Sequence, residues 1–407
     1  MDSSQLYKPV RAILDEVKAQ GDQALFDFTE RFDKVKLDQL AVSQAEIDEA
    51  VKLVPEALQQ AIQQAKANIS AFHQSQREPI QRIESMPGVV CWRKSIPISK
   101  VGLYIPGGSA PLFSTLLMLG VPAVLAGCQE IVLCTPPQKD GSVHPAILYT
   151  AQLMGLTSIY KLGGAQAIGA LAYGTESIPQ VDKILGPGNA WVTAAKQLVQ
   201  MGGVNIDLPA GPSELLVVTD ATCEPAFVAA DLLSQAEHGP DSQVILLTDD
   251  EGTIQAIVAE VEKQVRFLPR KDIAREALKH SKAILLKDME EAMAFSNAYA
   301  PEHLILATEN AEMLADKVEN AGSVFLGHYS PESAGDYASG TNHTLPTNGY
   351  ARAYSGVSLD TFMKKVTFQQ ISKQGLQNIG PTVEIMAEAE ELFAHKNAVS
   401  LRLQKLS

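Results

Sequence analysis

The chain has 407 residues, 46% of them hydrophobic and 20% charged, with a formal net charge of −14, a globular composition long enough for two or three domains. The acidic balance excludes nucleic acid as the main partner, because phosphate recognition needs a basic face, but it admits a small, partly cationic substrate. Four cysteines without a C-x-x-C pair, and a start (MDSSQLYKPVRAILDEVK) without the apolar stretch of a signal peptide, predict a cytoplasmic protein.

Val10, Ile13, Leu14 and Val17 form an apolar stripe that predicts a helix over residues 7–20. A second helix follows Gly21-Asp22, and Ser43-Gln44-Ala45-Glu46 is a capping box opening a third. The helical pattern then runs to His73 with a break at Pro55. From Val89 the texture changes, and VVCWRKSIPISKVGLYIP reads as two strands. The uncharged run Pro111–Cys128 is long enough to span a membrane. It holds Gly120, Pro122 and Gly127 and leads straight into IVLCTPP, so it reads as a buried helix before a strand, and no membrane partner is expected. IYKLGG, VDKILGPG, ELLVVTD, QVILLTD, AILLKD, HLILAT and GSVFLG follow, separated by helical stretches. Strand–helix alternation predicts parallel sheets covered on both faces.

The expected class is therefore α/β, with two Rossmann-like units, a helical N-terminal segment and a helical C-terminal tail. The expected domains are an arm over 1–25, a discontinuous α/β domain of 26–102 with 214–355, a second α/β domain over 103–213, and a tail over 356–407. FMKKVTFQQISKQGLQNIG in that tail reads as helix, and such a tail is suited to packing on a neighbouring subunit.

Three glycine loops follow strands: Tyr104–Ser109, Gly163–Gly169 with Gln166, and Gly186-Pro187-Gly188-Asn189. Glycine lets backbone N–H groups approach a phosphate, and open α/β sheets bind ligands at the carboxyl ends of their strands. Neither G-x-G-x-x-G nor G-x-x-x-x-G-K-[ST] is present, so the loops are a nucleotide site or merely tight turns. In DLLSQAEHGPDS, Gln235 and His238 share a helix face just before Gly239-Pro240. That face is half a metal site or a polar last turn. Glu302-His303 at a strand entrance is an acid/base unit or a structural pair. Ser213 follows two closely spaced prolines, and the polar segment Ser330–His343 supplies Asp336 and His343. Glu390 and His395 near the end read most simply as a solvated helix face. Gln, His, Asp and His would suit a divalent ion such as zinc. Cys128 and Cys134, in an apolar helix–strand unit, read as inert thiols rather than as an aldehyde dehydrogenase nucleophile. A zinc hydrolase using Glu302 and a non-catalytic scaffold are the other readings.

The blocks YIPGGSAPLFSTLLM, GGAQAIGALAYGTESIPQVDKILGPGN, DLPAGPSELLVV, DLLSQAEHGPDSQVILLT, APEHLIL, GSVFLGHYSPESAGDYASGTNHTLPT and AHKNAVSLRL, in this order, resemble the histidinol dehydrogenase family. The resemblance implies NAD-dependent oxidation of L-histidinol to L-histidine through L-histidinaldehyde, using two NAD and one zinc per subunit. It implies zinc ligands Gln235, His238, Asp336 and His395, the last from the partner of a homodimer with shared active sites. It implies catalytic Glu302 and His303, and further substrate contacts at Ser213, His343 and Glu390. NAD contacts are implied at Tyr104, Gln166 and Asn189.

Overall fold

The structure is a computed structural model that describes residues 4–107, 111–207 and 211–406. Two compact units emerge: one holds the chain up to Gln76 with Ile98–Phe362, the other Arg77–Pro97 with the chain from Met363.

In the first unit, α1 (Ser4–Gln20) and α2 (Asp22–Phe28) bury the predicted stripe, with Val10 and Leu14 fully enclosed. The end of α2 widens into a π turn, Thr29–Asp33. Ser43 and Glu46 cap α3 (Gln44–Leu53) reciprocally, and Pro55 separates it from α4 (Glu56–Gln74). The strands β1 (Arg82–Met86) and β2 (Val89–Pro97) belong to the second unit. The first sheet is built from β3 (Lys100–Tyr104), β4 (Glu130–Thr135), β5 (Ser158–Lys161), β6 (Lys183–Leu185) and β7 (Asn205–Ile206). The helices α5 (Phe113–Ala126), α6 (Pro145–Leu153), α7 (Gly164–Tyr173) and α8 (Ala190–Gln200) connect them. The strand order is β5-β4-β3-β6-β7, parallel throughout. The uncharged run forms α5, whose residues Leu116–Ala123 are enclosed between α4, α6 and β3. No helix among the described residues is long and apolar enough to cross a membrane.

The second sheet comprises β8 (Glu214–Thr219), β9 (Gln243–Thr248), β10 (Lys282–Leu285), β11 (His303–Ala307) and β12 (Ser323–Leu326). Its helices are α9 (Pro225–Ala236), α10 (Glu251–Gln264), α11 (Lys271–Leu278), α12 (Met289–Tyr299), α13 (Ala311–Ala315) and α14 (Glu332–Tyr337). Its order, β10-β9-β8-β11-β12, repeats the arrangement of the first sheet, again all parallel. Strand periodicity divides the core: Leu215 and Val217 pack with α9, while Leu216 and Val218 pack with α12 on the other face. The expected domains grouped residues 26–102 with 214–355. In the fold α3 lies on α6 and α4 on α5, so those helices cover the first sheet instead. Amphipathic periodicity shows that a helix has a buried face and leaves open what covers it.

The second unit is an antiparallel sheet β1-β2-β13 followed by two helices. Here β13 is Met363–Ile371, and α15 (Lys373–Ala389) packs on α16 (Phe393–Gln404). The helical tail is present in α15 and α16, but the segment MKKVTFQQI, expected as helix, is a strand. It pairs with β2 along its whole length, and Phe368 stacks on Trp92 with ring centroids 5.5 Å apart. That partner lies far away in sequence, where local periodicity cannot register it.

Candidate active site

The two sheets of the first unit meet around a cavity of about 230 Å3. The first sheet presents its carboxyl edge, through Gly186, Pro187 and Gly188 after β6 and Asp207 after β7. The second sheet presents its amino edge, because His303 begins β11 and Glu302 precedes it. The helix α9 runs antiparallel to the strands, which returns Gln235 and His238 to that same edge. The helix α14 carries Asp336. The second sheet thus bears its chemistry at the edge opposite to the one that open α/β sheets ordinarily use.

Asp336 is the centre of the cluster. One of its oxygens lies 3.5 Å from His303 Nε2 and the other 3.9 Å from His238 Nε2. The ring of His343 is tied to the Asp336 carbonyl through Nδ1 at 2.8 Å and approaches Thr115 Oγ1 through Nε2 at 3.2 Å. Glu302 is buried and accepts a hydrogen bond of 2.8 Å from the Glu214 backbone N–H. Its other neighbour is His303 Nδ1, at 3.7 Å, which also faces the Glu214 carbonyl at 3.2 Å. Burial raises Glu302 to about 7, against the opposing pull of His303 and the Glu214 N–H. Burial alone would lower His303, but the Asp336 hydrogen bond and the charges of Glu302, Glu332 and Asp336 outweigh it and raise it to about 9. Desolvation would raise Asp336, yet the surrounding imidazoles hold it below the usual carboxylate range. A buried pair of adjoining titratable groups, both shifted well away from their ordinary values, is the kind of arrangement acid/base chemistry uses.

Several polar atoms here are buried without a partner: Gln235 Oε1, one Asp336 oxygen and one Glu332 oxygen. Buried orphans of this kind need a ligand or ion to satisfy them. His303, Glu332 and Asp336 can bring ligand atoms within 4.8 Å of one another. Gln235, His238 and Asp336 form the overlapping alternative. The second set fits a cation better, because His303 is already engaged by Glu302 and the Glu214 carbonyl.

A second cleft, of about 720 Å3, lies at the carboxyl edge of the first sheet. Tyr104, Gln166 and Asn189 line it, so the three glycine loops converge on one space. The Tyr104 hydroxyl accepts a hydrogen bond from the Gly164 N–H at 3.1 Å, and burial pushes that hydroxyl up to about 12. The Asn189 side chain caps α8 by accepting from the Trp191 and Val192 N–H groups. Gly186 adopts φ +133°, and a Cβ there would sit 1.9 Å from the Tyr104 carbonyl oxygen, so only glycine fits. Gly108 and Ser109 of the first loop, and Leu208–Ala210 before Ser213, lie outside the described residues.

The structure therefore brings together Ser213, Gln235, His238, Glu302, His303, Asp336 and His343, and separately Tyr104, Gln166 and Asn189. Glu390 follows α15 as its C-cap and His395 lies in α16, both exposed, in the second unit. Sequence reasoning passed over Glu332, which is fully buried and accepts a 2.8 Å bond from Ser234. Its signal was present, four residues before Asp336 on one helix. Among the described residues no cysteine lines the cavity. Burial pushes Cys128 up to about 11 and Cys134 higher still, which suits inert thiols.

A cavity between two parallel sheets, walled by a glycine loop and holding a buried Glu–His pair beside orphaned metal-type donors, is the site of an α/β enzyme. The sequence profile of the histidinol dehydrogenase family matches residues 1–403. A histidinol dehydrogenase of Bacteroides thetaiotaomicron is 59% identical over 406 residues, covering 100% of this chain and 95% of its own. One from Yersinia pestis is 53% identical over 407 residues, covering 100% and 91%. The crystal structure of histidinol dehydrogenase from Elizabethkingia anophelis superposes with a TM-score of 0.98 at 61% identity, over 98% of this chain and 93% of that one. The chain belongs to the histidinol dehydrogenase family.

Proposed function

We propose that the protein oxidises L-histidinol to L-histidine through L-histidinaldehyde, with two NAD and one zinc ion per subunit, as the closing steps of histidine biosynthesis in the cytoplasm. The observation that carries this reading is the buried Glu302–His303 pair beside Asp336, Gln235 and His238, at the carboxyl edge of a sheet whose glycine loops converge on a second cleft.

The donor set suits zinc, which takes imidazole nitrogen and carboxylate or amide oxygen. Gln235, His238 and Asp336 would hold it, with His395 of a second copy completing the set. Zinc supplies a fixed positive charge that orients the substrate's imidazole and amino nitrogens. NAD, contacted near Tyr104, Gln166 and Asn189, supplies the hydride acceptor. The chain's own groups move the protons. His303, in its deprotonated form, takes the hydroxyl proton as the alcohol carbon loses hydride. Glu302, raised to about 7, takes a proton from water when the aldehyde is hydrated for the second oxidation. Ser213 and His343 hold the substrate, together with Glu390 from the partner's tail. A homodimer with shared sites is supported by the second unit's surface, where Ile385, Met386, Phe393 and Leu401 are each more than half exposed.

The test is NADH production from L-histidinol by the zinc-loaded protein, with and without a chelator. Two NADH per L-histidinol, lost on chelation and restored by zinc, is the expected result. No NADH from folded, zinc-loaded protein would overturn the proposal.

A further inference from the structure

The strand order of the first sheet is that of a dinucleotide-binding half, with the switch point between β3 and β6. In that arrangement a carboxylate at the end of the second strand ordinarily accepts the hydroxyls of the adenosine ribose. The second strand here is β4, and it runs into Thr135-Pro136-Pro137. Pro136 and Pro137 line the cleft where that carboxylate would stand, and neither has a side chain that can accept a hydrogen bond. No lysine or arginine lines the cleft among the described residues either.

One acidic side chain does line it: Asp33. It comes from outside the sheet, as the last residue of the π turn that follows α2. Its Oδ2 is buried and has no hydrogen-bond partner. It is close enough to Tyr104 for its charge to act on that hydroxyl, and burial raises its own pKa with nothing to compensate. A desolvated carboxylate oxygen with no donor is costly. The described fold gives no structural partner to justify it.

We infer that Asp33 takes the place of the missing strand-end carboxylate, accepting the adenosine ribose hydroxyls of NAD and rejecting a dinucleotide phosphorylated on the ribose. The inference rests on the placement of NAD in this cleft. The physical basis is simple: a ribose diol is a double donor that satisfies Oδ2, whereas a 2′-phosphate would face a carboxylate with no cation nearby.

The experiment compares Asp33→Asn, which keeps the shape, and Asp33→Ala with the unaltered, zinc-loaded protein. Steady-state kinetics with NAD and with NADP are measured at saturating L-histidinol. Loss of a hydrogen bond to a charged group is worth about 10- to 100-fold. The KM for NAD is therefore expected to rise by that factor in Asp33→Ala and less in Asp33→Asn. The kcat, zinc content and KM for L-histidinol should stay unchanged, and the preference for NAD over NADP should shrink in parallel. A preference unchanged within about twofold in both variants would overturn the inference. Trp191 also lines the cleft, and the chain has one other tryptophan. Energy transfer from Trp191 to bound NADH, absent in Trp191→Phe, checks the placement of NAD. Transfer with an unchanged preference sinks the role of Asp33 alone; no transfer from Trp191 sinks both.

Discussion

At the scale of single residues, the site is a set of groups held in states they would not adopt in water. Glu302 and His303 are both raised, Glu302 by its burial and His303, against its burial, by the carboxylates of Asp336, Glu302 and Glu332. His303→Asn removes the proposed base while keeping a side chain of similar reach. Its kcat should fall by about 100- to 10,000-fold, with metal content by atomic absorption unchanged. Glu302→Gln should impair aldehyde hydration more than alcohol oxidation, so the NADH yield per L-histidinol should drop from two towards one while aldehyde becomes trappable. His238→Asn removes one ligand of the proposed zinc site. Zinc affinity in competition with a chromophoric chelator should fall by more than the roughly 10- to 100-fold typical of outer-shell partners. Asp336 and Glu302 were legible in the sequence as polar residues in an apolar protein. Glu332 offered only its spacing four residues before Asp336, which is weak because a glutamate in a short helix usually faces solvent; the fold encloses it beside Ser234.

At the scale of elements, what matters is which end of each one meets the cavity. Gly186 turns the chain after β6 against the Tyr104 carbonyl. Gly186→Ala should cost about 1–3 kcal/mol or more from the strained backbone, read as a lowered Tm, together with weaker NADH binding. The helix end at Gln235–His238 and its Gly-Pro stop were predictable from local rules. The strand β13 was not, since its nine residues are ordered by β2, more than 250 positions earlier. Truncation before Glu390 leaves α15 and removes its C-cap residue and all of α16. The expected outcome is severely weakened zinc binding, with circular dichroism showing both α/β sheets intact. A truncated protein that holds zinc as tightly as the full chain would refute the role of His395.

At the scale of the whole molecule, the buried titratable pair links stability to pH. For His303 the folded pKa, about 9, lies above the unfolded value near 6.5. Its protonation therefore stabilises the fold fully below about pH 6.5, and the contribution is lost as pH rises through 9. Glu302, raised to about 7 from 4.5, acts in the same sense: its contribution is present below about 4.5 and lost as pH rises through 7. The zinc-free protein should thus lose Tm progressively between pH 5 and 9, roughly 4.5 to 9 by these limits. Glu302→Gln should flatten the lower part of that range, as followed by calorimetry across a pH series. A zinc-free Tm that climbs over this window would contradict the raised pair.

The α/β class, the parallel sheets, the N-terminal helices and the ordered blocks of the family were determined by the sequence itself. Strand–helix alternation, glycine turns and helix stops are local signals, written in neighbouring residues. Tertiary structure alone decided that two sheets of identical order meet carboxyl edge to amino edge. It alone enclosed Glu332, gave β13 its partner, and turned Asp33 from an N-terminal helix into the cleft of a distant sheet. Each of these depends on contacts between segments far apart in the chain, and burial and electrostatic coupling exist only once those contacts form.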